Sequence, residues 1–155
     1  MRSLAGKPVA EADVTALLEA GMAAPSASNR RPWYFVTVTD PTRLNKLAEI
    51  HPYGKMLQYA GLAIAVCGDR QISPDFWIQD CSAATENILV AAAMLKLGSV
   101  WLGVHPRVER EASIKEFLGI PERLGLLCLV AIGHPTKMPE PRTQYDSERI
   151  HRDRW

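Results

Sequence analysis

Cysteine is scarce in this chain. Cys67, Cys81 and Cys128 are scattered and form no C-x-x-C pair, so neither a disulfide framework nor a zinc site is indicated. A reducing cytoplasm is the expected compartment. Long hydrophobic runs are missing too. The longest, Ile88 to Leu95 and Leu126 to Ile132, fall short of the roughly 20 residues that span a bilayer, and no charged-then-apolar signal segment opens the chain. Neither charge sign dominates, because 18 basic side chains offset 17 acidic ones. Nucleic-acid and membrane-surface roles, which need a concentrated basic face, are therefore not expected. Arg30-Arg31 and the stretch Arg149 to Arg154, interleaved with acids, read as solvated faces. His51, His105, His134 and His151 lie far apart, near prolines or turns, and read as ordinary surface or loop histidines rather than metal ligands. No serine, histidine and aspartate grouping, phosphate-cradling glycine loop or H-E-x-x-H motif is present. Hydrolase, kinase and metalloprotease readings are left without support.

What is present is the composition of an ordinary globular domain. A chain of 155 residues suffices for one domain, 1–155, that removes about 70% of its unfolded surface from water. Val14, Leu17, Leu18, Gly21 and Met22 recur at helical spacing, predicting a helix that stops before Pro25. Trp33 to Thr39 alternates as a strand. Asp40-Pro41 starts a second helix, with aspartate as cap and proline in the first turn. Leu62 to Cys67 is a fully apolar strand between two glycines. Ser73-Pro74 is expected to open the longest helix, which runs to Leu97 and is closed by Gly98. Its alanines, Ala83, Ala84, Ala91, Ala92 and Ala93, allow close approach of another element. Ser99 to Val104 then reads as a strand, Glu109 to Leu118 as a helix closed by Gly119, and Leu126 to Ile132 as a buried strand. Pro135, Pro139 and Pro141 make the rest an extended arm. This alternation suggests a three-layer α/β/α domain.

Three segments can carry chemistry. The first is the loop Ala24 to Trp33, where Ser26, the Asn29 amide and backbone N–H groups can meet a flat polar edge such as a flavin pyrimidine. Pro, Ser and Asn are also common turn formers, and on the residues alone a plain turn is the better reading. The second is Leu97 to Val104, where Gly98 and Gly103 flank Trp101 and Leu102. Glycine there lets a planar ligand touch the backbone, although a helix cap followed by a core strand explains the same residues. The third is the arm that ends in Arg142, either a fork for a phosphate or a lone surface arginine.

Read together, these segments resemble the nitroreductase family over essentially the whole chain. Leu18 to Asn29 followed by Pro32-Trp33 is similar to that family's A-P-S-x-x-N-x-Q-P-W signature. Trp77 to Leu89, continuing through Gly98 to Pro106, resembles its central helix and following strand. Pro141-Arg142, Glu148 to His151 and Trp155 resemble its tail. The resemblance implies an α+β fold with a mixed central sheet flanked by helices and a C-terminal arm exchanged in a homodimer. It also implies FMN at the subunit interface, with Pro25, Ser26 and Asn29 reaching the flavin across the dimer. Trp101, Leu102 and Gly103 would line the ring within one subunit, and Arg142 would hold the phosphate. NADH or NADPH is the implied electron donor, and a small nitroaromatic, quinone or free flavin the implied acceptor. The cofactor does the chemistry, so no catalytic side chain is named. A flavin carrier without catalysis, or a flavin enzyme performing reductive dehalogenation or flavin fragmentation, are the alternatives.

Three departures bear on the phosphate end. Only Arg2-Ser3-Leu4-Ala5 stands for the family's longer Arg-Arg-Ser-x-Arg run, Arg31 replaces a glutamine, and Glu140 replaces a lysine common two residues before the arginine. Each lost charge-assisted contact would weaken FMN by about 1.5 to 3 kcal/mol.

Overall fold

The computed structural model describes residues 2–137 and 143–155. Its regular elements are α1 (Glu11–Met22), β1 (Trp33–Val38), α2 (Pro41–Ile50), β2 (Leu62–Asp69), α3 (Trp77–Met94), β3 (Gly98–Gly103), α4 (Val108–Leu118) and β4 (Leu124–Gly133). The strands lie in the order β1-β2-β4-β3.

The class is α+β, as expected, but among the described residues the sheet is not mixed: every hydrogen-bonded strand pair there is antiparallel. The cause is topological. The α3 crossover connects β2 and β3, which run the same way, and β4 inserts between them in the opposite direction. No two parallel strands therefore become neighbours.

Side-chain alternation along the central strands divides the core into two faces. Ala63, Ala65 and Cys67 of β2 join Leu44, Leu47, Leu57 and Ile114 on the face covered by α2 and α4. Leu62, Ile64 and Val66 join Val14, Leu17, Ala84 and Ile88 on the face covered by α1 and α3. Both faces are covered by helices, which is why β2 and β4 are buried at every position and read as continuous apolar runs.

The helices begin and end for local reasons. Asp40 Oδ1 accepts from the Arg43 N–H at 2.8 Å with Pro41 in the first turn, as the sequence predicts. Helix α3 departs from expectation at both ends. It starts at Trp77 because the Ser73 hydroxyl is committed to Asp80 rather than to a cap, and residues 70–76 form turns. It ends at Met94, where Lys96, not Gly98, takes the left-handed conformation (φ 59°) and Leu97 N–H bonds back to the Ala92 carbonyl at 2.8 Å.

Trp77 locks the start of α3 onto the sheet. Its indole lies on Gly68 and Gly125, which face each other across β2 and β4. A Cβ at either glycine would come within 2.7 Å or 2.6 Å of that ring, so only glycine fits. A bulge in β4 lies at the same end: the pairing slips between Val66 and Cys67, and Leu127 and Cys128 both face α1 and α3. The Leu127 carbonyl accepts from both Val104 and His105 N–H groups, turning the chain away just after β3.

The first residues run beside the end of β4. Leu4 bridges Pro135, and the hydroxyls of Ser3 and Thr136 meet at 2.6 Å. Residues 143–155 are exposed, and the hydrogen bonds of Tyr145, Glu148 and Arg149 are local. No helix among the described residues is long and apolar enough to cross a membrane.

Candidate functional site

The loop between α1 and β1 is held in an uncommon shape. Ser28, Asn29 and Arg31 all adopt left-handed backbone conformations, with φ of 51°, 54° and 48°. Such residues cost on the order of 1 to 3 kcal/mol each and persist only where the surroundings over-determine them. Several bonds do so. The Ser26 Oγ accepts from Arg31 N–H at 2.9 Å, and its carbonyl accepts from Asn29 N–H at 3.0 Å. Asp80, buried in the first turn of α3, accepts from Ala27 N–H at 2.8 Å and from the Ser73 hydroxyl at 2.9 Å. The Pro32 carbonyl accepts from Asp69 N–H, tying the loop's exit to the end of β2. Asp69 itself is fixed there. Burial pushes its carboxyl up, but the Gln71 and Ile72 N–H groups and the Arg123 guanidinium outweigh that and hold it below its ordinary range.

With its backbone pinned, the loop leaves polar side-chain groups at its surface. The Asn29 side chain is exposed and makes no hydrogen bond among the described residues, and Ser26 retains its O–H as a donor.

The second segment sits on the far edge of the sheet. Trp101 is half-buried on the α1 and α3 face, whereas Leu102 is in the core of the opposite face and offers only its backbone. Gly103 is exposed, with no atom within 4 Å of where a Cβ would stand, so its backbone is open to a flat ligand. The Gly103 carbonyl is held by two donors, His51 Nε2 at 3.0 Å and Arg110 Nη1 at 2.7 Å. His51 is a correction to the surface or loop reading: it is 1% exposed, because it continues the buried stripe of Leu44, Leu47 and Ala48 past the end of α2.

The loop before β1 and the end of β3 thus lie at one end of the sheet but on opposite edges. The strands that carry them, β1 and β3, are three interstrand spacings, about 14 Å, apart. Of the phosphate-end residues, Ser3 is paired with Thr136 and Arg2 is exposed, while Arg142 lies outside the described residues, as does Glu140.

Asp80 and His51 were not named as site residues by sequence reasoning. A signal existed for both: each falls at i+3 or i+4 from buried apolar positions, so a charged or imidazole group interrupts an apolar helical stripe.

The chain is similar to known proteins over its whole length. The profile of the nitroreductase family matches residues 1–52 and 51–134. A protein of Archaeoglobus fulgidus, provisionally named an NADH dehydrogenase/NAD(P)H nitroreductase, is 44% identical over 161 residues, which cover 100% of this chain and 92% of the relative. The solved structure of an FMN-dependent nitroreductase from Clostridium difficile R20291 superposes with a TM-score of 0.93 at 27% identity, covering 100% of this chain and 94% of that one. A provisionally named nitroreductase from Desulfovibrio desulfuricans, solved in complex with FMN, superposes with a TM-score of 0.82 at 30% identity, with 100% and 91% covered. On these matches, this chain belongs to the nitroreductase family.

Proposed function

We propose that this protein is an FMN-dependent oxidoreductase in which a homodimer takes hydride from NADH or NADPH and reduces a small acceptor such as a nitroaromatic, quinone or free flavin. The observation that carries this reading is the opposite-edge placement of two open, pinned segments. The loop of Ser26 and Asn29 leads into edge strand β1 and Gly103 ends the opposite edge strand β3, so a second copy would set the loop of one protomer against the β3 end of the other. The apolar surface supports a second copy: Met22 of α1 and Val90 and Met94 of α3 are at least half exposed. Ile150 and Trp155 of the exposed C-terminal segment suit an arm that packs on the partner.

The residues present fit a flat ring with a polar edge. Pro25, Ser26 and Asn29 of one protomer would meet the pyrimidine edge, Trp101 to Gly103 of its partner would lie along the ring, and Arg142, with Arg2 and Ser3, would meet the phosphate. The chemistry that FMN supplies when bound is uptake of hydride from a reduced nicotinamide and release of the electrons to an acceptor. The protein's part is to orient and to exclude water, with no side chain acting as acid or base. The reading treats residues 1–155 as one domain, and the buried free cysteines suit a reducing cytoplasm.

A visible spectrum tests this. Purified protein is expected to take up FMN, turn yellow, and bleach when NADH or NADPH is added without oxygen. A yellow protein that neither nicotinamide bleaches would be a carrier, and failure to take up FMN would overturn the reading.

A further inference from the structure

We propose that Asp80 is the positioning residue for flavin binding, acting through the Ala27 N–H to hold the Ser26 to Arg31 loop in its binding shape. This rests on the FMN reading above and names the group on which its loop depends.

Within the loop, Ser26 accepts from Asn29 and Arg31, but those bonds join the loop to itself. They move with it. Among the described residues, the hydrogen bond that joins the loop's centre to another element runs from Ala27 N–H to Asp80 Oδ1 at 2.8 Å. Asp80 is 4% exposed, and its other oxygen accepts from Ser73, which is fully buried. The carboxylate therefore cannot turn away to water. Trp77, seated on Gly68 and Gly125, fixes the turn of α3 that carries it. The N-terminal turn of a helix also favours a negative charge at this position.

Three left-handed residues without glycine make the loop's native shape unfavourable when isolated. If the anchor is lost, the loop relaxes into other shapes, and apparent affinity falls in proportion to the fraction that remains competent. Asp80 touches no ligand itself. It sets the population of the conformation that does.

The test uses the full chain. FMN titrations followed by quenching of flavin fluorescence are expected to give Asp80→Ala a Kd roughly tenfold to a hundredfold above that of the unsubstituted protein. Asp80→Asn keeps an oxygen for Ala27 N–H and presents its amide N–H to the Ser73 hydroxyl. Its Kd is expected to return to within about threefold, a rescue that loss of general stability would not produce. In the FMN-free Asp80→Ala protein, trypsin should cut the Arg30–Arg31 bond faster, and FMN should slow that cut. Equal Kd and equal cleavage in Asp80→Ala would overturn the proposal. Should Asp80→Ala fail to fold, hydrogen exchange on the unsubstituted FMN-free protein decides: the Ala27 amide is expected to be protected, and exchange at an open-chain rate would refute the anchor. Failure of the unsubstituted protein to bind FMN would instead strike at the function proposed above, leaving the Ala27 amide readout intact.

Discussion

His51 donates through Nε2 to the carbonyl of Gly103 across 3.0 Å while its Nδ1 accepts from the Tyr53 N–H at 3.2 Å. The two bonds specify one neutral tautomer, because a protonated ring would turn a donor toward Tyr53 N–H. Burial holds the His51 pKa below its ordinary value, and the Arg110 cation adds to that, against the opposing Gly103 bond.

Stability should therefore depend on pH through this residue. The folded pKa lies below the unfolded one, so the unfolded chain binds the proton first. The contribution is complete above about pH 6.5 and is lost as pH falls toward the folded value. Urea unfolding of the unsubstituted protein and of His51→Gln at pH 7.5 and pH 5.5 is expected to show the stability gap between them narrowing at the lower pH. A gap that stays constant would mean that His51 is not held neutral.

Gly61 and Gly103 should respond in opposite ways to the same added methyl group. A Cβ at Gly61 would drive into the Lys7 carbonyl and lie 2.9 Å from Val9 N, both backbone atoms that cannot swing aside. Gly61→Ala is expected to cost about 1 to 3 kcal/mol, or more if the N-terminal segment detaches. Gly103→Ala meets nothing within 4 Å and should leave stability within about 0.5 kcal/mol. Its effect should fall on FMN affinity instead, since the methyl group would occupy the open face of β3. Denaturant midpoints and FMN titrations of the two variants separate these outcomes.

The three thiols should be silent while the protein is folded. All are buried, and burial pushes Cys67 and Cys128 up to about 12 and Cys81 further still. Nucleophilic thiolate is therefore nearly absent at neutral pH. Reaction with an aromatic disulfide reagent is expected to proceed at the rate of global opening and to accelerate with urea in step with unfolding. A fast phase at neutral pH without denaturant would contradict the packing of β2 against α3.

Much of this protein is local and was legible as such. The Asp40-Pro41 helix start, the Gly119 cap, the aromatic and β-branched strand β1 and the apolar runs of β2 and β4 follow from residue types within a few positions of each other, although the burial of β1 does not alternate. The motif around Ala24 to Trp33 was equally readable and pointed to the family that the comparisons identify. Even so, a local cue misled: Ser73 looks like a helix cap until the buried Asp80, two turns further on, takes its hydroxyl.

What the order of residues alone determined, then, is which segments are helices and strands, which of their faces are apolar, and which loop resembles a flavin motif. Only the tertiary structure decided that β4 inserts between β2 and β3, that the two candidate flavin segments stand on opposite edges, and that His51 and Asp80 are buried beneath them. The reason is physical. Capping and periodicity act over a single turn or pleat, whereas strand order and the partners that fix Ala27 to Asp80 and His51 to Gly103 come from contacts between residues more than fifty positions apart, whose energies depend on the whole core closing at once.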